Sequence, residues 1–245
     1  MTTAAPSPAA RRAPDPSTVA LLLADARLPG GGHAHSASLE PALLGGLPAA
    51  DVPAWMAGRA TTVSLVEAGT AVVASRVLAA GPVAEDDGPA ALAAVERAWA
   101  ARTPSQALRD AARLLGRGYL RVARTLWSGH PAVVAVAGQA ARHGSVPRAV
   151  VLGAVAAASG LTPADVVRLT VYDDAQTAAS ALLKLEPLDP LVTARWVLDA
   201  CAAAEPHVPR VAACTTPESI PASGAPQTEG WAEAHALRTQ RLFRA

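Results

Sequence analysis

Pairs of a capping residue and a following proline constrain the fold of this chain more than any other feature. The pairs are Asp15-Pro16, Thr103-Pro104, Thr162-Pro163 and Asp189-Pro190. A helix accepts proline at its first position because that N–H has no partner within the helix, and Asp or Thr before it caps the next N–H groups. Gln106 lies three residues after Thr103, which is the spacing of a capping box. Thr162 and Asp165 form a weaker version of the same box. The pairs predict the starts of helices.

Apolar residues recur at every third or fourth position between these starts, as they do on one face of a helix. The clearest series is Leu108, Ala111, Leu115, Tyr119, Val122 and Leu126. Further helices are predicted at residues 51–80, 89–101, 132–142, 147–159, 164–185 and 190–204. No run of alternating apolar and polar residues is long enough to predict a strand. The sequence predicts an all-α fold, a single helical bundle of roughly eight to ten helices with a proline-rich C-terminal tail.

Composition divides the chain into four parts. Residues 1–14 contain three prolines and no apolar periodicity, so we expect a disordered N-terminal extension there, followed by a helical domain at 15–204. Residues 205–230 are rich in Pro, Ser, Thr and Gly, which is typical of a flexible segment. Residues 231–245 end the chain with its only phenylalanine, and we expect this short apolar element to dock on a partner or on the chain's own core.

Charge and composition exclude several classes of protein. The net charge of +1 gives no general attraction to nucleic acid or to an anionic membrane. The longest apolar run, at residues 149–158, is interrupted by Gly153 and is too short to span a bilayer. Cys201 and Cys214 fit no zinc or redox spacing, and no signal-peptide pattern opens the chain. A soluble, cytoplasmic protein without a cofactor is therefore expected.

A glycine triplet at residues 30–32 precedes His33 and His35 near the N-terminus. A phosphate-binding P-loop needs a lysine directly after its last glycine, and the single lysine of this chain is Lys184. In an extended backbone His33 and His35 would lie on one face and could both bind a nickel, copper or zinc ion. Two ligands seldom suffice for a tight metal site. The alternative is that one histidine bonds within the loop and the other is exposed.

The predicted helix after Ser105 carries arginines at steps of three or four residues. They are Arg109, Arg113, Arg117, Arg121 and Arg124. Arginine pairs well with carboxylates on other proteins, although a run of charge is often only a solvated face. The acids expected four residues away on such a face are nearly absent, since Asp110 is the one acid between Arg97 and Arg124. The stripe therefore predicts either a partner surface or a solvated face.

Nothing in the sequence predicts a catalytic centre. Asp173 and Asp174 are adjacent, and on a helix their side chains point about 100° apart, which suits structural or surface groups better than acid–base catalysis on one substrate. No nucleophile-elbow, zincin or Ser-x-x-Lys motif is present. An arginine-rich DNA-binding regulator is disfavoured, because the net charge is near zero and no helix-turn-helix signal is found.

Residues 29–40 read Pro-Gly-Gly-Gly-His-Ala-His-Ser-Ala-Ser-Leu-Glu and resemble the N-terminal signature of the UreF family of urease accessory proteins. That signature has an aromatic residue where His33 stands and glycine where Ser38 stands. Later segments resemble the family in the same order along the chain. They are residues 102–105 with Gly116, residues 181–190, and the terminal Arg-Leu-Phe-Arg at 241–244.

The resemblance implies a homodimeric, all-helical scaffold without enzyme activity. Such a urease maturation co-chaperone binds UreD, also called UreH, and recruits the GTPase UreG to the urease apoprotein for nickel insertion. The alternative is a nickel-binding metallochaperone that uses His33 and His35. The family-like segments and the arginine stripe together predict partner-binding residues. They are Pro29, Gly31, Gly32, His35, Ser36, Glu40, Arg102, Ser105, Arg109, Arg113, Arg117, Arg121, Leu242, Phe243 and Arg244.

Overall fold

A computed structural model describes residues 14–80, 84–239 and 242–243, and their regular structure is helical. The α-helices in chain order are α1 (Pro16–Ala24), α2 (Leu39–Leu44), α3 (Val52–Ala60), α4 (Val63–Ala79), α5 (Ala84–Ala101), α6 (Gln106–Leu126), α7 (Pro131–His143), α8 (Arg148–Ser159), α9 (Pro163–Leu185), α10 (Pro190–Ala204), α11 (Val208–Ala212) and α12 (Pro226–Ala236). Short 3₁₀ turns lie at Gly32–Ala34, Ala49–Asp51, Glu205–His207 and Pro217–Ser219. No strand occurs within these described ranges, and the all-α prediction is confirmed.

Most of the predicted helix starts are confirmed. Asp15 caps α1 by accepting a bond from the N–H of Ser17, and Asp189 caps α10 in the same way. Thr162 caps α9, and its hydroxyl and the Asp165 carboxylate form the predicted capping box. In each case proline occupies the first turn. These starts depend on groups only two or three residues apart, so the local sequence is enough to specify them.

The start of α6 is displaced from its predicted position. Ser105, rather than Thr103, is the N-cap, and its hydroxyl accepts a bond from the N–H of Leu108 at 3.2 Å. The predicted capping box of Thr103 with Gln106 is therefore wrong, because Gln106 is the first residue of the helix and not its third. Pro104 lies before the cap and outside the helix.

The helix predicted at residues 51–80 is divided into α3 and α4. Thr62 lies at the break, and its hydroxyl donates to the carbonyl of Gly58 at 2.7 Å. Such a side-chain bond offers the last carbonyls of α3 a partner outside the helical ladder. By length and composition alone, Ala49–Ala79 could cross a membrane, but more than half of its apolar window is buried inside the fold. The stretch is a core element of the bundle.

The core is centred on the crossing of α4 and α8. Residues 68–74 of α4 and 149–156 of α8 are all buried. Gly153 permits the crossing, since a Cβ atom there would lie 2.6 Å from the Cβ of Ala74. Around this pair, α9 packs on α4, α10 packs on α9 and α3, and α6 and α7 pack on α8. A core of alanine, valine and leucine allows this close approach, because small side chains keep the helix axes near one another.

Residues 205–230 differ from the flexible segment that their composition predicts. The structure has α11, two 3₁₀ turns and the start of α12 there, and Val208, Val211 and Ile220 are buried. Arg102 holds the segment by donating from Nε to the carbonyl of Ile220 at 3.0 Å and from Nη2 to that of Glu218 at 3.2 Å. Four of the five prolines, Pro206, Pro209, Pro217 and Pro226, occupy first turns of short helices, where they are tolerated, so their number does not indicate a loop.

Candidate functional site

Glycines shape the glycine loop, which we define as residues 29–38. Gly31 has a φ of 88°, a left-handed conformation that glycine adopts at little cost. A Cβ atom at Gly30 would lie 2.9 Å from the ring of Tyr119. A Cβ atom at Gly118 of α6 would collide with the carbonyl of Gly30. The loop can therefore rest directly on α6 only because both facing positions lack a side chain.

The chain leaves the glycine loop through a strained pair of residues. Ala37 and Ser38 have φ values of 49° and 68°, in a region that costs a residue with a Cβ roughly 1–2 kcal/mol. Ser38 stands where the UreF signature usually has glycine, and its backbone conformation is one that glycine favours. Ser36 supports the turn into α2, since its hydroxyl accepts a bond from the N–H of Glu40 at 3.3 Å.

The C-terminal segment folds back onto the start of α2 through Glu40. The Glu40 carboxylate accepts the backbone N–H of Leu242 at 2.8 Å and that of Phe243 at 2.7 Å. His235 Nε2 lies 3.3 Å from the same carboxylate. Phe243 is only 4% exposed, and Lys184 Nζ lies 5.1 Å from its ring centroid, whereas Leu242 is 62% exposed. The predicted docking element is thus docked on its own chain, with one leucine facing outward.

A cavity of about 180 Å³ lies beneath the glycine loop and is closed at one side by Phe243. His33 and His35 both contribute to its wall, but His33 is exposed and His35 is buried. The backbone between them is not extended, because His33 and Ala34 lie in the 3₁₀ turn Gly32–Ala34. Among the residues that the structure describes, no three His, Cys, Asp or Glu side chains come close enough together to hold a metal ion.

A buried charge cluster lies beside the loop, and Asp174 of α9 is at its centre. Arg59 of α3 binds it with two bonds, Nε to Oδ2 at 3.0 Å and Nη2 to Oδ1 at 2.7 Å. Ser64 donates its hydroxyl to Oδ2 at 2.9 Å, and the Trp55 ring centroid lies 5.4 Å from Arg59 Cζ. Burial alone would raise the pKa of Asp174, but the opposite effect of Arg59 and Ser64 is larger. The pKa is therefore below its ordinary value, and the carboxyl is ionised.

The neighbouring Asp173 has a different partner. It forms an ion pair with Arg148 of α8, whose Cζ atom lies 5.7 Å from the ring centroid of Tyr119. Burial lowers the pKa of Arg148, but Asp173, Tyr119, Glu67 and Asp174 together raise it by more, and the guanidinium stays charged. Burial is also the main reason that the pKa of Tyr119 rises to about 12. Asp173 and Asp174 therefore each neutralise a separate arginine.

Glu67 of α4 is the third acid of the cluster. Trp99 Nε1 donates to its carboxyl at 2.5 Å. Burial raises the pKa of Glu67, and the nearby Arg148 offsets this only in part. A cavity of about 100 Å³ separates the cluster from α6, and His35 lines that cavity as well as the one under the loop. The cluster is not among the sites that the sequence predicts. Its available signal was the presence of single arginines in otherwise apolar helices, at Arg59 and Arg148.

Two predicted partner-binding arginines of α6 have partners within the chain. Arg109 Nη1 donates to the carbonyls of Thr103 at 2.5 Å and Pro104 at 2.8 Å, which close the connection before α6. Arg113 Cζ lies 5.6 Å from the Trp99 ring centroid. These two side chains hold the N-terminal half of α6 to its surroundings.

The C-terminal half of the stripe is freer. Arg121 makes one weak bond, from Nη2 to the carbonyl of Pro29 at 3.3 Å. Arg117 and Arg124 are exposed, and neither has an ion pair with a described residue. The arginine stripe looks uniform in the sequence, but the structure divides it. Arg109 and Arg113 contact the rest of the chain, whereas Arg117, Arg121 and Arg124 form an exposed surface.

The remaining predicted partner-binding residues also have defined positions. Ser105 donates its hydroxyl to Glu233 of α12 at 2.6 Å, and the N–H of Ala107 donates to the same carboxylate at 2.9 Å. Arg102 holds residues 218–220, as described above. Arg244 lies outside the described residues. The structure brings Gly32 and His35 together with Phe243 around the cavity under the loop, and it joins Glu40 to Leu242 and Phe243. Pro29, Gly31 and Ser36 lie in the same glycine loop. It places Arg102 and Ser105 in a separate contact region with residues 218–233.

Comparison with known proteins identifies the family. A family model described as UreF matches residues 48–201, from the 3₁₀ turn before α3 into α10. The urease accessory protein UreF of Mycobacterium sp. (strain JLS) is 37% identical over 176 residues, which cover 71% of this chain and 74% of that protein. UreF of Mycobacterium marinum (strain ATCC BAA-535 / M) is 36% identical over 192 residues, covering 76% and 82%. UreF of Mycobacterium tuberculosis (strain ATCC 25618 / H37Rv) is 37% identical over 177 residues, covering 70% and 74%. The chain therefore belongs to the UreF family of urease accessory proteins.

Proposed function

We propose that this chain is a non-catalytic adaptor in urease maturation. It joins the accessory protein UreD, or UreH, and the GTPase UreG on the urease apoprotein, so that nickel can be inserted. Family membership supports the role in urease maturation. The sequence supports the non-catalytic part of the proposal, because it contains no nucleotide-binding motif and no catalytic motif.

The observation that carries the proposal is the contact of residues 29–40 with the C-terminal segment. Both segments resemble signatures of the family, and Glu40, in α2 just after the glycine loop, accepts bonds from the backbone N–H groups of Leu242 and Phe243. Hydrogen bonds from backbone N–H groups to a carboxylate are strong, directional contacts. The result is a composite surface with Leu242 exposed at its edge, and we propose that UreD binds there.

A pull-down with purified UreD tests this surface. Deletion of residues 242–245, or the substitution Phe243→Ala, should reduce the capture of UreD because either change removes the apolar cover of the loop. Leu237→Ala is the matched control, since Leu237 is 87% exposed and lies in the same part of the chain. Unchanged capture by the deletion variant would show that UreD docks elsewhere.

The adaptor role itself is tested in cells. The urease operon is expressed with and without this gene in a nickel-containing medium, and urease activity and the nickel content of purified urease are measured. We expect both to fall in the absence of this gene. Full activity without it would contradict the proposal, as would GTP hydrolysis by the purified chain alone. Homodimer formation and a cytoplasmic location belong to the same proposal, and they are checked by sedimentation and by fractionation of the expressing cells.

A further inference from the structure

A groove of about 440 Å³ runs along the C-terminal half of α6, between this helix and α7. We call it the arginine groove. Its end is set by Gly116, where an added Cβ atom would collide with the carbonyl of Val146 in the turn between α7 and α8. That turn contains Gly144, which ends α7 with a φ of 81°. The backbone of α6 therefore touches the turn directly, and the groove lies beside this contact.

The charge of the arginine groove is unbalanced. Arg117, Arg121 and Arg124 line it, and none of the described residues that line it is acidic. Arg59, which is buried, and Arg148, which is half-buried, differ because each has a carboxylate partner. Guanidinium groups that gather without acids are suited to carboxylates supplied by another molecule. The groove is therefore complementary in charge to an acidic partner.

The other lining residues of the groove are small or apolar. Leu120, Ala137, Ala140 and Val146 are among them, and Ala137 and Ala140 are half-buried. Val134 lies one turn before Ala137 on α7 and is 55% exposed, so apolar surface continues beyond the groove itself. Alanine surfaces allow close approach of another backbone, and apolar contact would add to the charge attraction. A bare polyanion would leave this apolar surface unused.

We propose that the arginine groove binds an acidic amphipathic helix of a partner protein, an inference that rests on the adaptor function proposed above. Side chains three or four residues apart on a helix lie about 5–6 Å from one another, and this is the spacing of Arg117, Arg121 and Arg124 along α6. A partner helix with acids at the same spacing can pair with all of them while its apolar face covers the alanines. Helix-in-groove recognition uses such regularly spaced anchors.

Fluorescence anisotropy with a defined probe tests the charge requirement. The probe is a labelled synthetic helical peptide with glutamates at i, i+4 and i+7 and with alanine and leucine on its other face. It is titrated with the full chain and with the variant Arg117→Glu/Arg124→Glu. Arg210→Glu/Arg238→Glu is the control, because it reverses two exposed arginines outside the groove and changes the net charge by the same amount. We expect the groove variant to weaken binding by about tenfold or more, and the control to change it by less than about twofold.

A second pair of variants tests the groove without altering charge. Ala141→Trp fills the groove from the exposed side of α7, and Ala135→Trp places the same side chain on α7 at an exposed position outside the lining. Only the first should weaken peptide binding. Equal weakening by both members of either variant pair, or no binding of the probe to the wild-type chain, would overturn the proposal.

Other occupants give different results. An RNA or DNA duplex that displaces the labelled peptide at a lower concentration than unlabelled peptide does would assign the groove to nucleic acid, provided that the groove variant does not bind the duplex. That result would overturn the proposal. A change in oligomeric state caused by Arg117→Glu/Arg124→Glu would overturn it in favour of a second copy of this chain. The adaptor function is judged separately from UreD capture by the tail-deletion variant. If the peptide does not bind but the chain still captures UreD, and does so only with its tail intact, then the groove proposal alone is overturned.

Discussion

Two groups of arginines in this protein lie in contrasting regions. In the buried charge cluster, Arg59 and Arg148 each bind a carboxylate of the same chain. In the arginine groove, Arg117 and Arg124 are exposed and have no ion pair among the described residues. A charge that is removed from water on folding needs a partner within the fold, whereas an exposed charge is stabilised by solvent. The contrast separates arginines that hold the bundle together from arginines available to another molecule.

The largest effect is expected from Asp174→Ala. This substitution leaves the guanidinium of Arg59 buried without its carboxylate, and breaking a buried ion pair costs about 3–5 kcal/mol. The free energy of unfolding, measured by urea denaturation, should fall by that amount. The double substitution Arg59→Met/Asp174→Leu is the control, because it removes both charges and should recover most of the loss. A loss below about 1 kcal/mol for Asp174→Ala would show that the cluster resembles a surface pair.

A smaller effect is expected from Ser64→Ala. The Ser64 hydroxyl donates to the buried Asp174 carboxylate at 2.9 Å, and a hydrogen bond to a charged group contributes about 1.5–3 kcal/mol. The variant should lose stability within this range in the same urea assay. Ser128→Ala is a matched control, since Ser128 is exposed and makes no hydrogen bond that the structure shows. Equal stability of the two variants would contradict a strong bond within the cluster.

Glu67→Gln should alter how stability depends on pH. Burial raises the pKa of Glu67 above its ordinary value of 4.5, so the protonated form is favoured in the folded state. The resulting stabilisation is complete below pH 4.5 and is lost as pH rises through the raised pKa. Glutamine cannot ionise, yet it still accepts the bond from Trp99. Urea midpoints measured from pH 4 to pH 8 should therefore decline less in the variant, and parallel curves would count against the assignment.

The smallest effect on stability is expected from Arg117→Gln/Arg124→Gln. Both side chains are exposed and lack ion pairs among the described residues, and such surface changes alter stability by no more than about 0.5 kcal/mol. The same variant should bind the acidic helical peptide more weakly than the wild-type chain. A loss of stability comparable to that of Asp174→Ala would mean that the two sets of arginines are not different in kind.

Local signals in the sequence were enough to predict much of the fold. Thr162 and Asp165 form their capping box within a single turn, so neighbouring residues specify it. The start of α6 could not be chosen locally, because Thr103 and Ser105 are both capping residues. Ser105 also bonds to Glu233, which lies 128 residues further along the chain.

The candidate site was predictable only in part. The glycines mark residues 30–32 as a special loop, and the resemblance pairs that loop with the C-terminal segment. The buried charge cluster gives no such mark, since Arg59 and Asp174 are 115 residues apart and only the folded chain brings them together. The arginine stripe was visible as a pattern. Its division depends on Trp99 and the carbonyl of Thr103, which engage Arg113 and Arg109 but not Arg117.

The bond between Glu40 and Leu242 spans 202 residues, and this separation has a consequence for synthesis. The ribosome makes Glu40 early, but the backbone groups that bond to it leave the exit tunnel only after the helices of the core have emerged. The composite surface therefore cannot form before residues 242 and 243 have been made. If UreD binds this surface, as proposed above, a nascent chain without these residues does not offer it the complete contact.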